Sequence, residues 1–367
     1  MTAHIVMTGY DQTVFCPAGS SDTRQRLQTY AALLSKDAAA HITYICLRTP
    51  AHLQAFVESN VTFIPISGGI LQMPFRLMLQ LRKLRNISLI CTQTPYEDGL
   101  AGMIFASLHD IPFAVQVHND PTHTPGGRLR FLRQIMSRLC FAQAKLIRVV
   151  NPIVGRELEE KYNRRVKVIP VAPAVTPTPR DTLPQIPEIL VVSRLSPEKN
   201  VALALHVMAR VQLKVPEAHM TIAGEGADRA KLERQAKEAG IAVTFLGGLP
   251  PSELAKLYSC ATLLLLTSRE EGLGRVLIEA MFAGLPIVAT RTKGASCIIH
   301  HGETGYLQDV DDVIDLSESV VELCLDHARN TAMGRRGQQQ SQQYLPDVIN
   351  QTLIAALLEA SQSKENL

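Results

Sequence analysis

Short runs of β-branched and apolar residues alternate with amphipathic segments along most of this chain, and the alternation limits the folds open to it. The strand candidates of the first half are HIVMT, HITYICL, VTFIPI, ISLICT, FAVQVH and LIRVV. Those of the second half are EILVVS, HMTIAG, VTFLG, ATLLLLT and PIVAT. Strands that alternate with helices form parallel sheets covered by helices. The sequence therefore predicts α/β structure in both halves.

A proline-rich segment, PVAPAVTPTPRDTLPQIP at 170–187, separates the two halves. Prolines at this density prevent a helix and most strand pairing. At 367 residues the chain exceeds the roughly 250 to 300 residues at which one core usually stops growing. We predict an N-terminal Rossmann-like domain over 1–170, a linker over 171–187 and a C-terminal Rossmann-like domain over 188–345. A final helix within 346–367 is expected to pack back on the N-terminal domain.

The apolar runs and the cysteines indicate where such a chain resides. Its longest apolar runs are shorter than the roughly 18 residues that span a bilayer, and its N-terminus has no signal-peptide pattern. The seven cysteines are scattered, without a CxxC pair. We expect a cytoplasmic protein with neither disulfides nor structural zinc.

Basic residues are concentrated in the first half. Residues 1–175 contain 19 Lys and Arg against 11 Asp and Glu, whereas the remainder contains 18 against 23. Much of the excess lies in two helix-like stretches, PFRLMLQLRKLRN and GGRLRFLRQIMSRL, where Arg alternates with apolar residues. They predict either a peripheral contact with an anionic membrane or an ordinary solvated basic face. Because aromatic residues are few and Trp is absent, nucleic acid is not an expected partner.

The segment SREEGLGRVLIEAMFAGLPIVAT carries the clearest site pattern. Gly272 and Gly274 precede a predicted helix, whose first-turn amides attract anions such as phosphate. Glu271 before the helix and Glu279 inside it can accept hydrogen bonds from hydroxyl groups on either side of such a phosphate. A sugar nucleotide offers this order of groups: sugar hydroxyls, diphosphate and ribose hydroxyls.

A second pattern, VVSRLSPEKN, follows another strand candidate. Arg194 and Lys199 are five positions apart across a Ser-Pro turn, so that both can reach one diphosphate and stabilise it as it departs. A solvated loop at the start of a helix is the alternative for this pair.

With these motifs in order, the chain resembles glycosyltransferase family 4, the retaining enzymes of GT-B fold. RLSPEK, AGEG (223–226), EGLGRVLIE and GETGYL (302–307) carry the resemblance, which is strongest over 189–307. It implies two Rossmann-like, doubly wound parallel-sheet domains facing a central cleft. It also implies that Arg194 and Lys199 grip the diphosphate, Glu279 the ribose and Glu271 the donor sugar. The implied nucleotide-sugar-binding residues are Arg194, Lys199, Gly224, Gly247, Glu271, Gly272, Leu273, Gly274, Arg275, Val276 and Glu279.

The N-terminal half matches the family less well. In FAVQVHND, His118 resembles the histidine that contacts the donor sugar, which makes His118, Arg194, Lys199 and Glu271 the implied catalytic residues. The glycine-rich turn after the first strand is reduced to Gly9 and Gly19, and VAPAV replaces the Asn-Gly-Val-Asp pattern at 171–175. Asp11, Arg24 and Asp120 are candidates for the acceptor side, with ordinary surface roles as the alternative.

The resemblance implies transfer with retention, in which the departing phosphate takes the acceptor proton. No cofactor or metal is expected, because the sequence offers an Asp-x-Asp pattern only at 309–312, in a late loop. The expected donor is a UDP-sugar, the acceptor is a glycan or a lipid-linked molecule of cell-envelope or exopolysaccharide synthesis, and the protein is a monomer or homodimer. The alternatives are a catalytically silent sugar-nucleotide-binding subunit and a GT-B UDP-sugar 2-epimerase. A dehydrogenase is disfavoured, since MTGYDQTVF lacks GxGxxG.

Overall fold

The computed structural model describes residues 3–16, 21–35, 40–118 and 130–362. Contacts divide the chain into two compact units, 1–170 with 347–367 and 171–346. Each unit has a sheet with helices on it, so the α/β architecture predicted for both halves is confirmed.

The first unit contains an eight-stranded sheet among its described residues. Its strands lie in the order β3-β4-β2-β1-β5-β6-β7-β8 and are parallel except for β3, which forms an antiparallel edge with β4. The strands are β1 (Ala3–Gly9), β2 (Ala40–Thr49), β3 (Phe56–Glu58), β4 (Val61–Ser67), β5 (Leu89–Thr92), β6 (Phe113–Val117), β7 (Leu146–Val149) and β8 (Lys167–Val168). The helices are α1 (Asp22–Leu34), α2 (Met73–Leu81), α3 (Glu97–Leu108), α4 (Arg130–Gln143), α5 (Pro152–Tyr162) and the final helix, α13 (Pro346–Gln362).

Helices α2, α3 and α4 cover one face of this sheet. Their buried side chains, including Leu77, Phe105 and Phe141, share a core with Val6 and Val115 of the central strands. Helix α3 packs against both α2 and α4. The three helices therefore form one layer. One side of this layer packs on the sheet, and we call the opposite side its outer side.

A buried arginine secures the chain where the first unit ends. Arg148 on β7 donates from Nε to the Ile169 carbonyl at 2.9 Å, and its other nitrogens donate to Gln116 and to the Pro170 carbonyl. Burial lowers the pKa of its guanidinium. At the far end of the sequence, Glu359 of α13 pairs with Lys167 of β8, so the last helix contacts the first unit.

The second unit has a parallel sheet of six strands in the order β11-β10-β9-β12-β13-β14 over its described residues. This is the strand order of a Rossmann fold. The strands are β9 (Glu188–Val192), β10 (His219–Ala223), β11 (Val243–Gly247), β12 (Leu263–Leu266), β13 (Ile287–Thr290) and β14 (Gly305–Gln308). The helices are α6 (Val201–Val211), α7 (Arg229–Glu238), α8 (Pro251–Cys260), α9 (Arg275–Phe282), α10 (Lys293–Ile298), α11 (Val313–Leu325) and α12 (His327–Ser341).

The proline-rich segment 171–187 has neither helix nor strand, but it belongs to the second unit. Arg180 donates to the carbonyl oxygens of Ala261 (3.2 Å) and Thr262 (2.7 Å) and to the Asn330 side chain, while its amide donates to the Ala283 carbonyl. Burial lowers the pKa of Arg180 to about 10. Specific polar contacts therefore hold the segment against the domain that follows it.

Candidate functional site

The predicted residues of the second half gather where the strand order reverses. The chain continues from β9 to β10 on one side of the sheet and from β12 to β13 on the other, while β9 and β12 are neighbours. Ligands of doubly wound sheets bind outside the carboxyl ends of the strands at such a point. We call residues 193–200 and 267–274, which follow these two strands, the switch-point loops.

Lys199 and Glu271 form an ion pair between the switch-point loops. Lys199 Nζ lies 2.6 Å from Glu271 Oε1, and the Ser268 hydroxyl donates to the same oxygen at 2.7 Å. Only 17% of the Lys199 side chain and 9% of the Glu271 side chain are exposed. The structure thus brings the residue predicted to hold the diphosphate into contact with the residue predicted to hold the sugar.

Arg194 lies on the same loop as Lys199 but is not part of this pair. Its guanidinium lies 3.2 Å from Glu198, and 74% of the side chain is exposed. Because an exposed ion pair of this kind contributes little stability, the guanidinium is available to a bound anion at small cost.

Helix α9 begins beside the pair. Gly274 precedes it in the left-handed conformation, with φ at +82°, and the first turn contains no acidic residue. The predicted loop Gly272 to Gly274 therefore leads into a helix N-terminus that favours negative charge.

Gly294 of α10 is a further site residue, which sequence reasoning missed. Its amide donates to the Glu271 carbonyl at 3.1 Å, and a Cβ there would lie 2.8 Å from that oxygen. The glycine lets α10 approach the loop closely. The signal available in the sequence was a glycine four residues after the end of the PIVAT strand.

Glu279 lies within α9 and is buried. Its Oε1 accepts from the Ala174 amide and its Oε2 from the Tyr258 hydroxyl, both at 2.8 Å. Burial and the neighbouring Glu279 carboxylate raise the pKa of Tyr258 well above its usual value, so the phenol remains a donor. A carboxylate has about four acceptor positions, of which these contacts use two. No local sequence pattern pointed to Ala174 or Tyr258.

Gly224 and Gly247 belong to turns that pack beside the first switch-point loop, residues 193–200. The Gly224 amide donates to the Gly247 carbonyl at 2.8 Å, and the neighbouring Glu225 carbonyl accepts from the Leu195 amide. A Cβ on Gly224 would lie 1.8 Å from the Ser193 carbonyl oxygen. The AGEG turn therefore packs backbone to backbone against the loop that carries Arg194.

We expect Gly224→Ala to lower the free energy of unfolding by at least about 2 kcal/mol, since the new methyl group meets backbone and φ is +148°. Gly240→Ala is the matched control, because φ is +64° there but no atom lies within 4 Å of the new Cβ. It should cost about 1 kcal/mol, the penalty for the left-handed conformation alone. Urea denaturation measures both, and equal losses would contradict the close packing of these turns.

The late Asp-x-Asp pattern is closer to the site than the sequence suggested. Asp311 accepts from Arg269 at 2.8 and 2.9 Å and from Asn200 at 3.0 Å, so it joins the two switch-point loops. Asp309 lies 3.5 Å from Arg291. Both aspartates therefore serve ion pairs. Within the described ranges, no three His, Cys, Asp or Glu side chains are grouped as metal ligands.

His118 directly follows β6 in the first unit and is half-buried. Of the candidates for the acceptor side, Asp11 accepts from the Thr13 amide at 3.0 Å. Arg24 pairs with Glu58 at 2.5 Å, and its guanidinium lies 4.8 Å from the Phe56 ring centre. Asp11 and Arg24 therefore have local structural contacts. Asp120 and Gly19 lie outside the described residues.

Asp98 joins the loops at the strand reversal of the first unit, between β1 and β5. It is fully buried and accepts from the hydroxyls of Thr8 (2.7 Å), Tyr10 (3.3 Å) and Thr94. Burial raises its pKa, although the bonds from Thr94 and Thr8 act in the opposite direction. The sequence did not reveal this role, since an acid in the first turn of a helix is ordinary.

The solved structures similar to this chain share its fold. Sucrose-phosphate synthase from Thermosynechococcus elongatus aligns with a TM-score of 0.81 and 17% identity over 96% of this chain and 97% of its own. Anabaena HepE in complex with UDP and glucose aligns with a TM-score of 0.74 and 18% identity over 97% and 100%. The GT-B fold expected from the sequence is confirmed.

Curated relatives match part of the chain. The GDP-mannose-dependent alpha-(1-6)-phosphatidylinositol monomannoside mannosyltransferase of Mycolicibacterium smegmatis is 32% identical over 160 residues, which are 41% of this chain and 42% of the relative. The sulfoquinovosyl transferase SQD2 of Arabidopsis thaliana is 32% identical over 164 residues, 44% and 31% of the two chains. The matched stretch thus spans less than half the length of these relatives.

Two family models match adjoining parts of the sequence. Residues 1–174 match the glycosyl transferase 4-like domain, and residues 183–340 match the glycosyl transferases group 1. Together they leave out only a short part of the proline-rich segment and the last 27 residues. Residues 1–174 thus belong to the glycosyl transferase 4-like domain family, and residues 183–340 belong to the glycosyl transferases group 1.

Proposed function

We propose that this protein transfers a sugar from a nucleoside-diphosphate sugar to an acceptor hydroxyl, with retention of configuration and without a metal ion. The observation that carries the proposal is the Lys199–Glu271 pair, 2.6 Å apart, at the strand reversal and beside the N-terminus of α9. A cation, a carboxylate and a helix N-terminus at this place suit a ligand that has both phosphate and hydroxyl groups.

In this proposal the diphosphate lies against Lys199, Arg194 and the first amides of α9. The exposed Arg194 turns from Glu198 to the phosphate when the donor binds. Glu271 accepts from hydroxyl groups of the donor sugar, and Glu279 accepts from those of the ribose. His118, in the first unit, provides a further contact to the sugar.

The chemical step exchanges one bond at the anomeric carbon. The bond from this carbon to the phosphate oxygen breaks while the acceptor oxygen bonds to the carbon from the same face. The acceptor proton passes to an oxygen of the departing diphosphate. Negative charge develops on the departing diphosphate in the transition state. Lys199 and Arg194 stabilise this charge because both cations are already positioned beside it.

The names of similar proteins suggest two donors to compare. A UDP-sugar is our first choice from the sequence, and HepE, among other structural neighbours, was solved with UDP. GDP-mannose is the second, because a curated relative at 32% identity depends on it. We propose a glycan or a lipid-linked molecule of envelope or exopolysaccharide synthesis as the acceptor, since that relative is named for a phosphatidylinositol mannoside acceptor.

Release of nucleoside diphosphate from a panel of donors, with and without EDTA, tests the proposal. We expect turnover of one donor that EDTA leaves unchanged, because Lys199 and Arg194 replace a divalent cation. Binding of a donor without turnover, with acceptors present, would instead favour a sugar-nucleotide-binding subunit. A donor epimerised at C2 without transfer would favour an epimerase, and loss of activity in EDTA would contradict the metal-free mechanism.

A further inference from the structure

The outer side of the α2, α3 and α4 layer exposes large apolar side chains on each of its three helices. On α4, Phe131, Ile135 and Leu139 are spaced four residues apart, so that they form one stripe along the helix. Phe131 is 73% exposed. The buried residues of the same helix, Cys140 and Phe141, face the sheet instead.

The same spacing recurs on the two neighbouring helices. Leu71, Phe75 and Leu79 form an exposed stripe at the start of α2 and along it, and Phe75 is 68% exposed. Helix α3, between the other two, exposes Ile104 and Leu108, and Leu108 is also 68% exposed. We call this set of exposed side chains on α2, α3 and α4 the apolar face.

Basic residues share the segments that carry the apolar face. Segments 73–85 and 130–143 contain seven Arg and Lys and no Asp or Glu, namely Arg76, Arg82, Lys83, Arg85, Arg130, Arg133 and Arg138. All are exposed except Arg133, which is partly buried and pairs with Glu97 of α3 at 2.9 Å. Two further acids lie on α3 or just after it: Asp98, which is fully buried, and Asp110, which is exposed. The face therefore combines a positive surface with exposed apolar groups.

We propose that the apolar face binds the surface of a bilayer that contains anionic lipids. The apolar side chains would enter the boundary between headgroups and acyl chains, and the Arg and Lys side chains would reach the lipid phosphates. Among the described residues, no helix combines the length and apolarity needed to cross a membrane. The proposed contact lies in the plane of the interface. It would present the first unit to acceptors held in the membrane.

A second copy of this chain is a less suitable partner for the apolar face than anionic lipid. A twofold dimer would bring the same surface of both copies together. The seven cations of segments 73–85 and 130–143 would then lie opposite seven identical cations, with few acids near them, and like charges at an interface are unfavourable. Anionic lipids provide the opposite charge.

Flotation with vesicles tests this inference without any donor or acceptor, so that its outcome is independent of the proposed transfer reaction. Vesicles of phosphatidylcholine alone are compared with vesicles of phosphatidylcholine and phosphatidylglycerol, at low and high salt. We expect binding to the anionic vesicles that weakens at high salt. Absence of binding to them would overturn the inference, as would equal binding to both compositions.

Two pairs of variants locate the contact. The triple change Arg82→Gln, Lys83→Gln and Arg85→Gln should weaken vesicle binding about a hundredfold at low salt, since each cation near an anionic surface contributes about a factor of five. Its control, with the same change in charge, is Lys231→Gln, Arg234→Gln and Lys237→Gln on the exposed side of α7, which should bind as wild type. Equal losses in the two triples would overturn the inference.

The second pair tests the apolar contribution. The double change Phe75→Ser and Phe131→Ser should weaken binding by about tenfold or more, since two phenyl groups no longer leave water. Val57→Ser with Leu213→Ser, two exposed residues outside the layer, is the control. Size-exclusion chromatography accompanies both. If Phe75→Ser with Phe131→Ser converted a dimer into a monomer and left vesicle binding unchanged, the face would be a self-association surface and the inference would be wrong.

Discussion

Lys199→Ala is expected to lower the turnover number by roughly 10²- to 10³-fold, the usual effect of removing one group that stabilises charge in a transition state. Lys199 Nζ is held 2.6 Å from Glu271, beside the N-terminus of α9, where the diphosphate is proposed to lie. Without the ammonium group, the departing diphosphate loses the cation that is already positioned for it. Single-turnover and steady-state kinetics with a saturating donor measure the effect.

Two controls separate the chemistry from the fold. Lys214→Ala removes an exposed lysine just after α6 and should leave the turnover number unchanged. The melting temperature of Lys199→Ala must show that the variant is folded under assay conditions, since the pair it breaks is partly buried. Unchanged kinetics in a folded Lys199→Ala protein would remove the phosphate role from this residue.

Glu279→Ala should weaken the affinity for a nucleoside diphosphate by about ten- to a hundredfold, the loss expected when hydrogen bonds to a charged group disappear. The same change should lower the free energy of unfolding by about 2 to 4 kcal/mol, because it leaves two buried donors, the Ala174 amide and the Tyr258 hydroxyl, without their acceptor. Calorimetric titration with the nucleoside diphosphates and urea denaturation measure the two effects.

Tyr258→Phe distinguishes the structural part of this effect from the binding part. It removes the hydroxyl that donates to Glu279 Oε2 but keeps the carboxylate. We expect a loss of about 1 kcal/mol in stability, the contribution of a typical hydrogen bond, with nucleotide affinity close to wild type. Normal affinity in Glu279→Ala would contradict the ribose role, whatever the change in stability.

The long elements of the fold were predictable because each carries its own pattern. Every strand candidate taken from an apolar run is a strand in the structure. The edge strands β3, β8 and β14 were not predicted. β3 and β8 have only three and two residues, too few to show a period, and the pairing of all three depends on the neighbouring strand. The proline-rich segment was expected to have no regular structure, but its attachment through Arg180 depends on carbonyl groups distant in sequence.

Part of the candidate site was also predictable, because some of its residues lie in a recognisable local sequence pattern. Glycines before a helix, with acids on both sides, indicate a ligand from local sequence alone, and on this ground Glu271 and Glu279 are predicted as site residues. The contact between Lys199 and Glu271 spans 72 positions and needs the strand order, and the Tyr258–Glu279 bond needs the packing of α8 against α9. Asp311, which lies in a late loop of the sequence, is brought to the switch-point loops by Arg269 and Asn200.

The central claim is that the second unit holds a nucleoside-diphosphate sugar without a metal. Calorimetric titration of the full chain in EDTA with UDP, GDP, ADP and their common sugars tests it most directly. The account predicts that one nucleoside diphosphate binds selectively with a dissociation constant in the micromolar range, and that Glu279→Ala weakens this binding. If none of these ligands bound the folded protein at millimolar concentration, or if binding appeared only on addition of a divalent cation, the claim would be contradicted.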